Sequence, residues 1–230
     1  MKKLGLIGGT GPVSTLLYYE GIAYGVQRKT GKNFFPNFTV ESLSVFEVLK
    51  MCSERKFDEL VKYLLNGIDS LHAAGAQFGA ISANTPHIVF DELAARSPIP
   101  LISIVEATLK QAQREKLSKI GLLGTYTTMK ESFFKTPFLK NGIEIFTPNE
   151  DEMKFIGEKI ATELELSIVN KQTQNKFLTI IENMRKIYGI ESVVLGCTEL
   201  PLIFNGVNLG VGTLDTAQIH IDALVDEILN

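Results

Sequence analysis

Four short clusters hold the residues best able to do chemistry, and each follows an apolar run. Gly196-Cys197-Thr198-Glu199 sets a thiol directly after the run Val193–Leu195. A helix is expected to start there, and a helix N-terminus lowers a thiol's pKa toward the thiolate that serves as base or nucleophile. The competing reading is a buried thiol used only for packing. Asn84-Thr85-Pro86-His87 offers an amide, a hydroxyl and an imidazole in one loop; Asn84 or Thr85 could equally cap a helix there. Gly8-Gly9-Thr10-Gly11-Pro12 suits a carboxylate-sized anion, or is simply a tight turn. Asp215-Thr216-Ala217, with His220 after it, reads either as a helix cap or as a supporting acid.

Other chemistries lack their residues. No lysine follows the first glycine loop in P-loop register, its glycines do not fit a dinucleotide fingerprint, and no nucleophile elbow is present. His72, His87 and His220 are too scattered for a metal-ligand spacing, so neither metal nor cofactor is expected. The second cysteine, Cys52, falls among charged residues on a predicted helix and reads as an ordinary helix position. Two thiols are too few for a secreted disulfide framework, which makes the cytoplasm the default. A net charge of −3 and a pI near 5.7 disfavour nucleic acid as a partner. No apolar run approaches the ~18–20 residues of a membrane span, and the start lacks the apolar stretch of a secretory leader.

Loops of this kind need strands to aim them. Apolar runs at Lys3–Ile7, Asn37–Leu43, Phe78–Ser82, Leu101–Ile104, Lys119–Leu123, Glu144–Phe146, Ser192–Leu195 and Leu209–Gly212 alternate with segments of helical period, which argues for a parallel α/β fold. Two helices each are expected in Val45–Ala74 and Asp151–Gly189. The glycine turns beginning at Gly5 and Gly121 match at an offset of 116, and Ile81–Thr85 matches Leu195–Glu199 at 114. Both offsets are near half of the 230 residues and suggest an internal duplication; the alternative is the general likeness of α/β units. In such sheets ligands bind beyond the carboxyl ends of the strands, where all four loops fall.

Taken together, GGTGPVST near the start, ANTPH after the third strand, GTYTTM at the midpoint, GCTEL and DTAQIH resemble the aspartate/glutamate racemase family, whose members need no pyridoxal phosphate. The resemblance runs from Gly8 to His220. It implies two pseudo-symmetric, doubly wound α/β domains (residues 1–98 plus 208–230, and 99–207) with the active site between them, in a homodimer acting on a small amino acid or dicarboxylate. It further implies a pair of bases, usually cysteines, flanking the α-carbon. Cys197 matches one of them. Thr10, Asn84, Thr85, Thr125, Thr127 and Thr198 would hold the substrate's carboxylate and amino groups, supported by Glu199, His87 and Asp215.

The sequence departs from that pattern twice. Where the family carries its first cysteine, or in some members threonine, stands Ala83, whose methyl group cannot move a proton. Three explanations stay open: an engineered substitution, a natural single-thiol relative, or service of that face by Ser82, Thr85 or water. In addition, Ser42–Met51 holds no arginine and Glu163–Ser167 no lysine to grip a distal carboxylate, so the aspartate or glutamate implied by the family lacks an identified partner. A single-cysteine decarboxylase or isomerase of the same superfamily, or a non-catalytic binder of small acids, is the alternative function.

Overall fold

The apolar runs become parallel strands in the computed structural model, which describes all 230 residues. They form two four-stranded sheets, each within its own compact unit: residues 1–107 with 217–230, and residues 108–216.

In the first unit β1 (Leu4–Gly8) lies between β2 (Phe38–Ser42) and β3 (Phe78–Ile81), and β4 (Leu101–Ile102) extends the sheet beyond β3. Side chains alternate across a strand, so β1 faces two cores at once. Leu4 and Leu6 join Phe78 and Ala80 beneath α1 (Pro12–Thr30) and α11 (Thr216–Leu229). Ile7 and Ile81 face the other way, under α2 (Val45–Ser53) and α3 (Phe57–Ala73). Both faces of the sheet are covered, which explains why its strands read as continuous apolar runs. After β3 the chain makes a 3₁₀ turn over Thr85–Val89 and runs on into a short α4 (Phe90–Arg96).

The second unit repeats the plan. It begins within α5 (Ile104–Arg114), and β5 (Lys119–Gly124) lies between β6 (Glu144–Phe146) and β7 (Ser192–Gly196), with β8 (Gly212–Asp215) outside β7. α6 (Tyr126–Lys130) and α7 (Lys135–Lys140) link β5 to β6. α8 (Glu150–Thr162) and α9 (Lys171–Tyr188) follow, both packed on β5. Asn149 starts α8 with a capping box: its side chain accepts from the Glu152 N–H, and Glu152 accepts from the Asn149 N–H. The expected pairs of helices are both present.

The two sheets share strand order and register. Ile7 of β1 is the partner of Ile81 of β3, and the positions 116 and 114 residues later, Leu123 and Leu195, are partners in β5 and β7. The last strand starts three residues after its expected position. Asn208 accepts the Gly210 N–H and Gly210 has φ +72°, so this stretch forms a turn and pairing begins only at Gly212. β8 then stays with the second sheet, and all of α11 beyond Thr216 belongs to the first unit.

Candidate functional site

The fully buried strand β7 delivers Cys197 at its carboxyl end. Gly196 pairs with Gly124 of β5, and a Cβ added to either would lie 2.8 Å from a carbonyl oxygen of the other strand. Two glycines therefore let the loops that carry Cys197 and Thr125 leave the sheet side by side. The Cys197 thiol donates to Glu199 Oε2 at 3.0 Å, and the Thr198 hydroxyl donates to the same oxygen at 2.8 Å. All three residues are buried, and the other carboxylate oxygen, Glu199 Oε1, has no hydrogen-bond partner. A fourth side chain reaches this cluster from the short 3₁₀ turn Leu164–Leu166. A carboxyl oxygen of Glu165, the Cys197 sulfur and a Glu199 oxygen lie within 4.8 Å of one another, so thiol and carboxyls form a set of three donor atoms.

The electrostatics reverse one expectation. Burial, and then the negative charge of Glu199, push the Cys197 thiol well above its ordinary pKa. The following helix α10 (Leu200–Phe204) is five residues long and starts three residues later, too short to counter that burial. At rest Cys197 is a thiol donating to a carboxylate, not the thiolate expected from a helix N-terminus. Burial and the neighbouring Glu199 also raise the Glu165 carboxyl to about 7.

The remaining candidates of this unit surround the same sheet edge. Thr125 caps α6 by accepting the Thr128 N–H at 3.2 Å, while Thr127 lies partly buried on that helix. Asp215 ends β8 as the partner of Leu195, and Thr216 donates to the Leu195 carbonyl at 2.8 Å.

In the first unit, the loop after β3 presents Ala83 at the position equivalent to Cys197. Ser82 is held on three sides: its N–H and its hydroxyl donate to the Ile7 carbonyl at 2.9 and 3.1 Å, and its carbonyl accepts from Ser14 at 2.8 Å. That hydroxyl is committed to the backbone, which weighs against Ser82 as a substitute base. Asn84 and Thr85 are buried at the opening of the 3₁₀ turn, and the Asn84 side chain does not cap it.

Two histidines of this unit, His87 and His220, have fixed tautomers. His87 donates from Nδ1 to the Ala83 carbonyl at 2.9 Å, so its Nε2 is the acceptor of the Ile104 N–H at 3.2 Å. His220 is the reverse: Nε2 donates to the Ile102 carbonyl at 3.1 Å, and Nδ1 accepts the Tyr18 hydroxyl at 2.8 Å. Burial is the main cause that lowers His87 to about 3 and His220 to about 4, so both rings are neutral. His87 is thus a positioning residue that pins the backbone at Ala83.

Thr10 is buried in the glycine loop after β1, its hydroxyl oxygen unpartnered. Gly9, with φ +74°, donates its N–H to Thr15 Oγ1 at 2.8 Å, so this amide is satisfied within the loop. Cys52 is a buried residue of α2 in the core beside α3, where burial pushes its pKa to about 11.

The structure therefore gathers Cys197, Thr198 and Glu199 at one point, and Ala83, Asn84, Thr85 and His87 on one turn. Three partners escaped sequence reasoning: Glu165, Ser14 and Tyr18. Only Glu165 left a trace, as an acid in a stretch searched for a lysine.

No helix is long and apolar enough to cross a membrane. Residues 7–224 match the family model described as Asp/Glu/Hydantoin racemase. The broad specificity amino-acid racemase RacX of Bacillus subtilis (strain 168) is 22% identical over 98% of each chain. A candidate Asp/Glu racemase from Yersinia pestis superposes with a TM-score of 0.91 at 32% identity over the full length of both chains. An aspartate racemase homologue from Pyrococcus horikoshii OT3 gives 0.85 at 33%, again over both full lengths.

Proposed function

The chain belongs to the Asp/Glu/Hydantoin racemase family, and from that premise we propose that it moves the α-proton of an amino acid, with Cys197 as the base on one face. The observation that carries this reading is the thiol at the end of β7 in contact with Glu199. To act as a base, the thiol must lose its proton. Glu199 Oε2 already accepts that hydrogen, so it is the nearest site to receive it. A substrate ammonium group beside the unpartnered Glu199 Oε1 would stabilise the negative charge left on the pair. Abstraction also places charge on the substrate carboxylate, which needs preorganised donors. Thr10, whose hydroxyl is unpartnered, and Asn84, Thr85, Thr125, Thr127 and Thr198 are the proposed holders of the carboxylate and amino groups. No cofactor enters this scheme.

Inversion needs a second proton donor on the opposite face, and Ala83 cannot supply one. Restoring a thiol there by Ala83→Cys is expected to raise racemisation at least a hundredfold, in line with the ~10²–10⁴ that a positioned acid or base contributes. In the unaltered chain Cys197 is expected to exchange the α-proton of one enantiomer in D₂O without inverting it. No racemisation of any amino acid by Ala83→Cys, together with no exchange by either form, would sink the proposal.

The lone thiol also supports a second reading, a decarboxylase that protonates one face of an enediolate, and CO₂ release from malonate derivatives tests it. Tight binding of amino acids without turnover in any of these assays would leave a non-catalytic binder. Two finer points belong to the same proposal. A cytoplasmic setting suits a chain whose two cysteines are both free. A homodimer is supported by the exposed Leu16, Tyr19 and Tyr24 of α1 and the neighbouring Phe35.

A further inference from the structure

Accepting Cys197 as the α-proton base, we propose that Glu165 makes this site select amino acids with a cationic side chain, an ammonium or a guanidinium, over those ending in a carboxylate.

Acidic groups around the Cys197 sulfur have no basic counterpart. Two carboxyl groups and a thiol lie within 4.8 Å of one another, and no lysine, arginine or histidine forms an ion pair with either acid. The cations nearest in sequence are engaged elsewhere. Lys159 pairs with Glu163 at 3.0 Å, and Lys171 donates to Gln174 at 2.5 Å. Glu163 and Glu165 stand two residues apart but behave differently. Glu163 holds Lys159 and accepts the Thr173 hydroxyl at 2.7 Å, whereas Glu165 faces Cys197 with no ion pair or hydrogen bond. Glu199 is 98% buried by exposure (2% accessible), yet Oε1 is unpartnered. Buried carboxylate oxygens find donors in protein, ligand or ordered water, and no protein group fills that place here, so this oxygen is open to a donor brought by a ligand.

An α-amino acid brings one ammonium group next to its α-carbon, and one carboxylate suffices to hold it. Glu199, bound directly to the base, is placed for that task. Glu165 is then left for whatever the side chain extending from the reacting carbon presents near the sulfur. With its carboxyl raised to about 7, Glu165 beside a distal carboxylate would either face a like charge or be forced to hold its proton, and both disfavour that ligand. An ammonium or guanidinium would instead complete an ion pair that the protein leaves open.

The test compares lysine, norleucine and glutamate, which end in a positive, a neutral and a negative group; norleucine is lysine without its ammonium. α-Proton exchange in D₂O and calorimetric binding are measured for the unaltered chain, Glu165→Gln and Glu165→Lys, with circular dichroism confirming that each variant folds. Lysine is expected to exceed norleucine, and norleucine glutamate, each by at least tenfold. Glu165→Gln should bring the lysine-to-norleucine ratio close to one, mainly through KM or Kd, and Glu165→Lys should reverse the order in favour of glutamate. Equal handling of lysine and glutamate by the unaltered chain, or a ratio unmoved by Glu165→Gln, overturns the proposal. So does the absence of binding to all three. If exchange fails everywhere but lysine binds in a Glu165-dependent way, the base assignment fails while the charge selection stands. Zinc titration supplies the last arm: zinc binding lost in Glu165→Gln, Cys197→Ser and Glu199→Gln, with no lysine binding, would make the cluster a metal site and overturn the proposal.

Discussion

Acid should loosen the first unit selectively, because all three histidines lie in it and two are buried in neutral form. Their folded pKa values, about 3 for His87 and about 4 for His220, lie below the ordinary 6.5. The unfolded chain therefore binds protons that the fold refuses. The stabilisation is full above about pH 6.5 and is lost as the pH falls toward the folded values. By pH 5 each histidine costs about 2 kcal/mol, set almost wholly by the unfolded chain, so the two together cost about 4 kcal/mol. Against a typical total of about 5–15 kcal/mol that is a large share, equal to a factor of roughly 1,000 in the opening equilibrium.

Amide hydrogen exchange read by peptide mass spectrometry, corrected for the intrinsic pH dependence of exchange, checks this directly. Protection at β1 and β3 should drop by two to three orders of magnitude between pH 8 and pH 5, by the same estimate. The second unit has no histidine and provides the internal reference. There Glu165, raised to about 7, acts in the opposite sense: the folded unit keeps a proton that the unfolded chain would release, so lowering the pH from 7 toward 4.5 favours its fold. Ring ¹⁵N spectra should show His87 protonated on Nδ1 and His220 on Nε2 down to pH 5. A His87 or His220 ring that charges above pH 6, or constant protection at β1 and β3 across this range, would overturn this account.

Three further substitutions have defined outcomes. Gly9→Ala combines φ +74° with a Cβ placed 2.2 Å from the Leu43 carbonyl oxygen, and should destabilise by about 3 kcal/mol or more in urea unfolding. Gly75→Ala, with φ +85° but nothing within 4 Å, should cost only about 1 kcal/mol. Glu199→Gln removes the charge that helps hold the Cys197 proton, so the thiol's pKa should fall and its alkylation at neutral pH speed up several-fold, as a larger thiolate fraction requires. Mass spectrometry separates this thiol from Cys52; unchanged alkylation would mean that the carboxylate does not set the thiol's protonation, and slower alkylation that Glu199 acts chiefly as the acceptor of the thiol's proton.

Much of this was legible in the residues, for reasons that also mark the limit. A strand covered on both faces leaves an uninterrupted apolar run, and the duplication shows in Leu6-Ile7-Gly8 and Leu122-Leu123-Gly124 because sheet register constrains both copies. The shift of β8 was hidden, since its start depends on the φ of Gly210 rather than on hydrophobicity. The thiol at position 197 was visible, but its protonation was not. That depends on burial and on a carboxylate two residues ahead, neither of which follows from a helix expected to begin there. Glu165 was harder still: 32 positions separate it from Cys197, and only the fold shows that it faces the sulfur while Glu163 does not.

The duplication supplies equivalent backbones with unlike chemical surroundings. Ser82 and Gly196 occupy matching places, yet Ser82 ties its loop to Ile7 through a hydroxyl, whereas Gly196 makes room for a close strand. One residue on, the carbonyl of Ala83 is held by a neutral imidazole, and the thiol of Cys197 is held by a carboxylate. A thiol restored at position 83 would therefore not be a copy of Cys197, since the side chain pinning its own backbone is an uncharged ring. Glu199 and Glu165 gather negative charge around Cys197 alone. The same asymmetry places any selection by charge on the side of Cys197, where a cation brought by the substrate would lower the cost of forming a thiolate.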